Sequence, residues 1–294
     1  MLDECVEALV KSSDSVVVDL TFGGGGHSNE ILKKLGSDGK LYAFDQDLDA
    51  KNQVVGHRNL KFCLANFRHF GRWLEFYGDE QVDGIFADLG VSSWQIDAAQ
   101  RGFAFRFNEG VLDMRMNSDS KLTASDVVLH YSYADLVSVM SEYGEVRNSK
   151  SLATSIVDAR MKWKGEVQVS QFNALLDRKY IGDKNRYFSQ VYQALRIEVN
   201  DEMGALKEML LQVEKHLKPG GVFVVLTYHS LEDKLVKNLM KSGSLDGKEK
   251  KDDFGRGLSP FKRVGPKFKV ASTEELEVNN RARSAKLRVV ERIK

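Results

Sequence analysis

The chain alternates short, continuous apolar runs with segments whose apolar residues recur at helical spacing, a pattern that predicts parallel strands joined by crossover helices. Val16-Val17-Val18-Asp19-Leu20 is the first run, broken by the glycines Gly23 to Gly26. Ser28 is placed as the cap of a helix through Leu35, which Gly36 to Gly39 end. Lys40 to Asp45, Leu60 to Leu64 and Val82 to Asp88 read as the next three strands. After Gln95 the pattern becomes helical and polar, with helices expected over Leu122 to His130, Tyr133 to Glu142, Ser149 to Met161 and Val169 to Lys179. The strand pattern returns after a helix over Asp201 to Leu217, in which Leu206, Leu210, Val213 and Leu217 share one face. Pro219-Gly220-Gly221 then turns into a fifth strand, Val222 to Leu226. A helix is expected over Leu231 to Met240 and a mobile Gly- and Lys-rich stretch over 241–269. Two late strands, Phe268 to Ala271 and Lys286 to Glu291, are expected to pair at a sheet edge. The fold class is α/β: an open sheet formed by 1–96 and 197–294, interrupted by a mainly helical insert, 97–196.

Composition narrows the class. With 42% hydrophobic and 29% charged residues, the 294-residue chain is an ordinary globular protein rather than a disordered one. No apolar run reaches the ~18 residues of a bilayer span. The opening Met1-Leu2-Asp3-Glu4-Cys5 is acidic where a secretory leader is basic and then apolar, so a cytoplasmic protein without a membrane partner is expected. Cys5 and Cys63 are too few for a disulfide framework or a zinc site and read as small core residues. Lys plus Arg is 43 against 42 for Asp plus Glu, so bulk charge announces no polyanion. The distribution is uneven: Arg281, Arg283, Lys286, Arg288, Arg292 and Lys294 face the single acid Glu291, and Lys262, Arg263, Lys267 and Lys269 also lack interspersed acids. That pattern suits phosphate contact, with a charge-protected strand edge as the competing reading.

A strand, a glycine loop and a helix bring backbone N–H groups against a nucleotide-like ligand. The dinucleotide fingerprint fails, because Ser28 stands where its third glycine belongs, and the G-x-x-x-x-G-K-[ST] phosphate loop is absent. Asp19, just before the glycines, would repel a pyrophosphate but suits a cationic amino-acid end such as that of S-adenosylmethionine. Asp45 ends the second strand, where a carboxylate accepts from ribose hydroxyls, and Phe67 follows the third, where an aromatic ring covers an adenine. Each has a bland reading alone, as turn acid or core aromatic; in register at successive strand ends they mark a ligand site. Asp88, Ser92, Ser93 and Gln95 follow the fourth strand and form the candidate catalytic loop, although serines before a helix are also caps. His27 is expected to pack near the cofactor and His229 is a candidate active-site donor. No His, Cys and Asp cluster has metal spacing, so no metal is expected. Arg101-Gly102-Phe103-Ala104-Phe105-Arg106-Phe107 interleaves bases and aromatics as nucleic-acid stacking surfaces do; a small hydrophobic cluster with incidental arginines is the alternative.

Seven segments in order resemble one family: Asp19 to Ser28, Asp88 to Ser93, Arg101-Gly102-Phe103, Leu112 to Met116, Gln193 to Ile197, His229 to Asp233 and Arg281 to Ser284. Together they are similar to the bacterial small-subunit ribosomal RNA cytosine-N4 methyltransferases of the MraW type, over nearly the whole chain. The resemblance implies a Rossmann-like S-adenosylmethionine-dependent methyltransferase sheet with an inserted helical domain that recognises RNA. It implies one cytidine N4 in the decoding region of 16S ribosomal RNA, or the small subunit carrying it, as substrate. Donor contacts in that family fall on positions matching Gly25, Gly26, His27, Asp45, Phe67, Asp88 and Gln95. Trp94 and Val111 stand where prolines are common, and Gly24 where a larger residue is often found. A short His-containing segment that usually precedes the Leu-Asp-Glu is missing, which is expected to loosen the cofactor lid.

On this reading Asp88, Ser92 and His229 are the catalytic candidates. Arg101, Phe103, Arg106, Arg281, Arg283 and Lys286 are the RNA-binding ones. Asp19 joins the family positions as a donor-binding candidate. Two other classes compete. A nicotinamide-dependent oxidoreductase shares the sheet but conflicts with the failed fingerprint and with Asp19. An RNA-binding ribosome-assembly factor with a vestigial cofactor pocket conflicts with the intact row Asp19, Asp45, Asp88, and methyl transfer to ribosomal RNA would exclude it.

Overall fold

The structure, a computed structural model, describes all residues except 250, 252, 253, 256 and 294, so Lys294 of the basic run and part of the 241–269 stretch lie outside the described residues. Contacts divide the chain into two compact units, Met1–Gly90 with Met203–Lys294, and Val91–Glu202. The hydrophobic pattern placed the breaks after residues 96 and 196.

The first unit is built on a seven-stranded sheet of β1 (Val16–Asp19), β2 (Lys40–Asp45), β3 (Leu60–Leu64), β4 (Val82–Asp88), β5 (Leu217–Thr227), β6 (Phe261–Arg263) and β7 (Lys286–Arg292). Their order is β3-β2-β1-β4-β5-β7-β6. The first five run parallel, and β7 is antiparallel to both β5 and β6. Successive residues bury on opposite faces, which is why these strands read as continuous apolar runs. Val18, Tyr42, Ile85 and Phe223 join one core with Leu206, Leu210 and Val213, while Val17, Leu41, Phe86 and Val224 join another with Cys5, Leu9 and Ile31. Both cysteines are buried and free.

Several expectations need correction. The helix after β1 runs Gly26–Lys34 and its N-cap is Gly25, at φ 78°, rather than Ser28. Ser28 lies inside the helix, fully buried. β5 begins at Leu217: Val82 pairs with Leu217 and Gly84 with Val222, so Pro219-Gly220-Gly221 form a bulge within the strand instead of a turn before it. β7 is not at a sheet edge but between β5 and β6, and its expected partner 268–271 supplies one bridge, Lys269 to Leu287. The stretch read as a mobile loop contains β6, which pairs with β7 from Phe261 to Arg263. Among the described residues no helix is long and apolar enough to cross a membrane.

The second unit is helical, with helices Ala124–His130, Tyr133–Ser138, Ser149–Arg160, Val169–Leu176 and Lys184–Asn200 around a core that includes Leu112, Met114, Val127, Leu152, Phe172 and Leu195. The helix expected to Glu142 loosens after Ser138 into a wider π turn, Val139–Tyr143. The longest helix of this unit, Lys184–Asn200, was not anticipated, although Asp183 caps it and Tyr187, Phe188, Val191, Tyr192 and Leu195 bury one face. Its polar first turn masked that periodicity.

Candidate active site

In an open α/β sheet ligands sit beyond the strand carboxyl ends, where the strand order reverses. Here the reversal lies between β1 and β4, whose last residues are Asp19 and Asp88; Asp45 ends the neighbouring β2. The three acids singled out in the sequence therefore stand side by side at the switch point.

They are not equivalent. Asp19 is 0% exposed. Its Oδ1 accepts from the Thr21 N–H at 3.0 Å and its Oδ2 from the Ser28 hydroxyl at 2.7 Å. It ties the strand end to the loop and the helix behind it. Asp45 accepts from Gly23 N–H on Oδ2 and Asp47 N–H on Oδ1, each at 2.8 Å, and from Gln46 N–H, three donors for the four lone-pair sites of a carboxylate. Asp88 retains 28% side-chain exposure. Its Oδ1 accepts from the Tyr228 hydroxyl at 2.6 Å, and its Oδ2 lies 3.7 Å from His27 Nδ1. Burial pushes Asp19 and Asp45 up to about 6 and Asp88 to about 7 from the usual 3.8, with hydrogen bonds pulling the other way.

The glycine loop provides the open floor. Gly25 must be glycine twice over, since a Cβ there would stand 2.9 Å from the Phe22 ring and its φ is +78°. Gly24 and Gly26 have no atom within 4 Å of where a Cβ would be, so the loop backbone is accessible to a ligand. His27 follows in the first helical turn, its ring 4.5 Å from Phe86. Burial drives the imidazole down to about 4, so it is neutral at physiological pH, and its Nε2 has no hydrogen-bond partner among the described residues. Phe67 opens a short turn after β3, half-buried against the core. An open glycine loop, an acceptor at the end of β2, an aromatic after β3 and a carboxylate at the end of β4 fit the loop-facing, ribose, adenine and amino-acid parts of S-adenosylmethionine.

The other candidates follow β4 and β5. Ser92 and Gln95 belong to the helical unit and cap one another: Gln95 N–H donates to Ser92 Oγ at 3.2 Å and Ser92 N–H to Gln95 Oε1 at 3.0 Å. His229 precedes the helix Ser230–Ser242 and its Nε2 lies 2.9 Å from Glu232 Oε1. Sequence reasoning missed Tyr228 and Glu232. Glu232, 4% exposed, accepts from Tyr228 N–H at 3.0 Å and so fixes the segment that carries the tyrosine. The signal for Tyr228 was position, directly after the fifth strand, and Glu232 lay within the segment His229 to Asp233 without being singled out.

The RNA candidates also divide. Arg101 is half-buried and donates from Nη2 to the carbonyls of Arg115 and Met116 at 2.8 and 3.2 Å, while Phe103 packs on the helical core. Arg106 is exposed, paired with Asp97 and 4.7 Å from the centre of the Phe107 ring. In the sheet unit Arg281 and Arg283 are exposed on a short turn, and Lys286 lies 3.5 Å from Asp233.

The model of the MraW methylase family matches residues 1–293. A ribosomal RNA small subunit methyltransferase H of Parabacteroides distasonis is 50% identical over all of this chain and 96% of its own length. Another of that name, from Flavobacterium psychrophilum, is 47% identical over 99% of this chain and all of its own. Among solved structures, an rRNA methylase from Streptococcus thermophilus aligns with 100% of this chain and 94% of its own at 13% identity and a TM-score of 0.38. From the family match across the whole length, and a strand-end site that suits its donor, the chain belongs to the MraW methylase family and takes S-adenosylmethionine as its methyl donor.

Proposed function

We propose that the protein methylates the exocyclic N4 of one cytidine in the decoding region of 16S ribosomal RNA. The name shared by its relatives supports a small-subunit ribosomal RNA as substrate. The observation that carries the chemical reading is Asp88, which ends β4 at the switch point with Oδ1 on Tyr228 and Oδ2 toward the glycine loop.

The N4 amine is a poor nucleophile because its lone pair is delocalised into the ring. S-adenosylmethionine, when bound, supplies a methyl group already activated on a sulfonium. What remains for the protein is to hold the amine in line and keep its lone pair free. Asp88 accepts a hydrogen bond from N4–H, with the first residues of the following loop completing the orientation. Gly25, Gly26, His27, Asp45, Phe67 and Asp88 hold the donor, and Asp19 shapes the loop against it. The neutral imidazole of His27 adds no positive charge beside Asp88, which suits a positively charged ligand. Proximity and orientation provide most of the acceleration, and the cytosine leaves any stack to enter. Arg281, Arg283 and Lys286 contact RNA phosphates, and Arg106 is the residue of 101–107 best exposed to do so.

The test is mass spectrometry of small-subunit RNA after incubation with the enzyme and isotopically labelled donor. A labelled N4-methylcytidine in the decoding region is the expected product. Label on another atom or another RNA overturns the proposal, and no transfer at all leaves an RNA-binding protein with a vestigial pocket.

A further inference from the structure

We propose that Tyr228 is a positioning residue for the methyl transfer, holding one oxygen of Asp88 so that the other is presented, ionised, to the incoming amine. The inference rests on the reading of Asp88 as the acceptor of N4–H. A carboxylate at the end of a strand can turn about its last bond and offer either oxygen. Here the turn is stopped, because the Tyr228 hydroxyl donates to Oδ1 at 2.6 Å. Oδ2 is left facing His27, whose Nδ1 at 3.7 Å is beyond hydrogen-bond distance. The Asp88 backbone is fixed separately, its N–H donating to Thr21 Oγ1 at 2.6 Å.

Tyr228 is itself held. Its N–H donates to the buried Glu232, and it follows Thr227, the last residue of β5. Asp88 and Tyr228 thus project from adjacent strand ends, Asp88 pairing in register with Leu226. The phenol is pushed above its ordinary range by burial and then by the neighbouring carboxylate, so it stays a donor across the working pH.

The same bond governs the charge on Asp88. Burial raises the carboxyl, and Asp19 from β1 and Glu232 from the helix after β5 raise it further. The Tyr228 hydrogen bond and the amino group of Met1 lower it. His27 is neutral, and the buried Cys5 thiol is pushed above its usual value, so neither adds charge at pH 7. Tyr228 is therefore the one hydroxyl among these groups that favours the ionised acid by direct contact. Without it Asp88 would be a protonated donor over more of the neutral range and would present the wrong hydrogen-bonding face to N4–H.

The experiment is single-turnover methylation of small ribosomal subunits lacking the modification, at saturating donor, from pH 5.5 to 9.5, for wild type, Tyr228→Phe and Asp88→Asn. Phenylalanine keeps the ring and removes only the donor. The acidic limb of the rate profile is expected to move up by about one pH unit or more in Tyr228→Phe, the scale of one hydrogen bond to a charged group. At saturating donor the rate then falls about fivefold at pH 7 and recovers in large part by pH 9, with the thermal midpoint near wild type. A merely structural tyrosine would lower the rate equally at every pH. A limb in the same place as wild type, or absent from both, overturns the inference when Asp88→Asn is inactive. If Asp88→Asn is nearly as active as wild type, it is the reading of Asp88 that fails.

Discussion

Asp45 and Asp88 at the strand ends and Arg101 and Arg115 of the helical unit are all half-buried polar groups that sequence context singled out, yet they use their hydrogen-bonding capacity in opposite ways. Asp45 accepts three backbone N–H groups, from Gly23, Gln46 and Asp47, for four lone-pair sites, and Asp88 accepts the Tyr228 hydroxyl on one oxygen, so each keeps an acceptor site for a ligand. Arg101 and Arg115 instead direct their donors inward. Arg115 binds Asp113 through Nε and Nη2 at 2.9 and 2.7 Å and the carbonyls of Ser118 and Ser120 through Nη1 at 2.9 and 2.7 Å. Arg101 caps the carbonyls of Arg115 and Met116 in the same loop. The loop 113–120 has almost no regular ladder for its carbonyls, and the guanidinium groups supply one. A spare acceptor at a strand end points to a ligand, whereas a donor beside an irregular loop points to the loop.

The sharpest way to break this contrast is at Asp88. Asp88→Asn is expected to stay folded and bind RNA but lose methyl transfer by roughly a hundredfold or more, the range for removing one positioned polar group from an active site. Single-turnover rates at saturating donor and RNA measure it; a rate within a few-fold of wild type would make Asp88 a structural strand-end acid. Asp45 comes next. If its spare acceptor site holds the ribose, Asp45→Ala weakens donor binding by about 1.5 to 3 kcal/mol. Calorimetric titration with S-adenosylmethionine reads this directly, and an unchanged Kd removes Asp45 from the site.

The same contrast explains what the sequence disclosed. The strand ends were legible because three features coincided there: an apolar run buried on both faces, an acid closing it and a change of pattern after it. Asp19, Asp45 and Asp88 carried all three. Tyr228 did not, because an aromatic after an apolar strand looks like more core, and its function lies in a bond between residues far apart in the chain. The 101–107 stretch was ambiguous for a different reason, since a run of arginine and phenylalanine has the same composition on an RNA surface as beneath a loop. The helix Lys184–Asn200 was hidden by its polar first turn, and the bulge in β5 by glycines that ordinarily mark a turn. Edge order of β6 and β7 depended on long-range pairing that no local pattern encodes.

A smaller effect sharpens the arginine side. Arg101→Ala would leave two carbonyls without their donor and is expected to destabilise the protein by about 1 to 3 kcal/mol. Its effect on the slope of RNA affinity against salt should be slight. Neutralising Arg281, Arg283 and Lys286 together should do the reverse, lowering the slope by roughly two if all three meet single-stranded phosphates, with little loss of stability. Denaturant melts and RNA binding at several salt concentrations separate the two. A thermally intact Arg101→Ala with a reduced salt slope would restore Arg101 to the RNA surface.

The smallest effect expected concerns stability in the absence of donor. Asp19 and Asp45 at about 6 and Asp88 at about 7 all titrate well above the 3.8 of an exposed aspartate, burial being the first cause in each. Between those values and 3.8 the folded protein holds protons that the unfolded chain releases, so stability falls as pH rises through 6 to 7. His27 opposes this, because at about 4 it is neutral where an unfolded histidine at 6.5 is charged, and it removes stability as pH falls through that interval. Three acids outweigh one imidazole. Asp233, Asp79 and Asp113 are held below the usual range despite burial, and they act only at more acidic pH. Tm of the donor-free protein should therefore be modestly higher at pH 5.5 than at pH 8. Asp88→Asn should flatten the upper part of that curve, where Asp88 titrates after the other two acids have ionised. Bound donor should flatten it as well, since a cationic ligand favours the ionised carboxylates. A Tm that climbs from pH 5.5 to 8 would mean that the three acids are ionised without cost in the empty site, and that the row at the strand ends is solvated rather than poised for a cation.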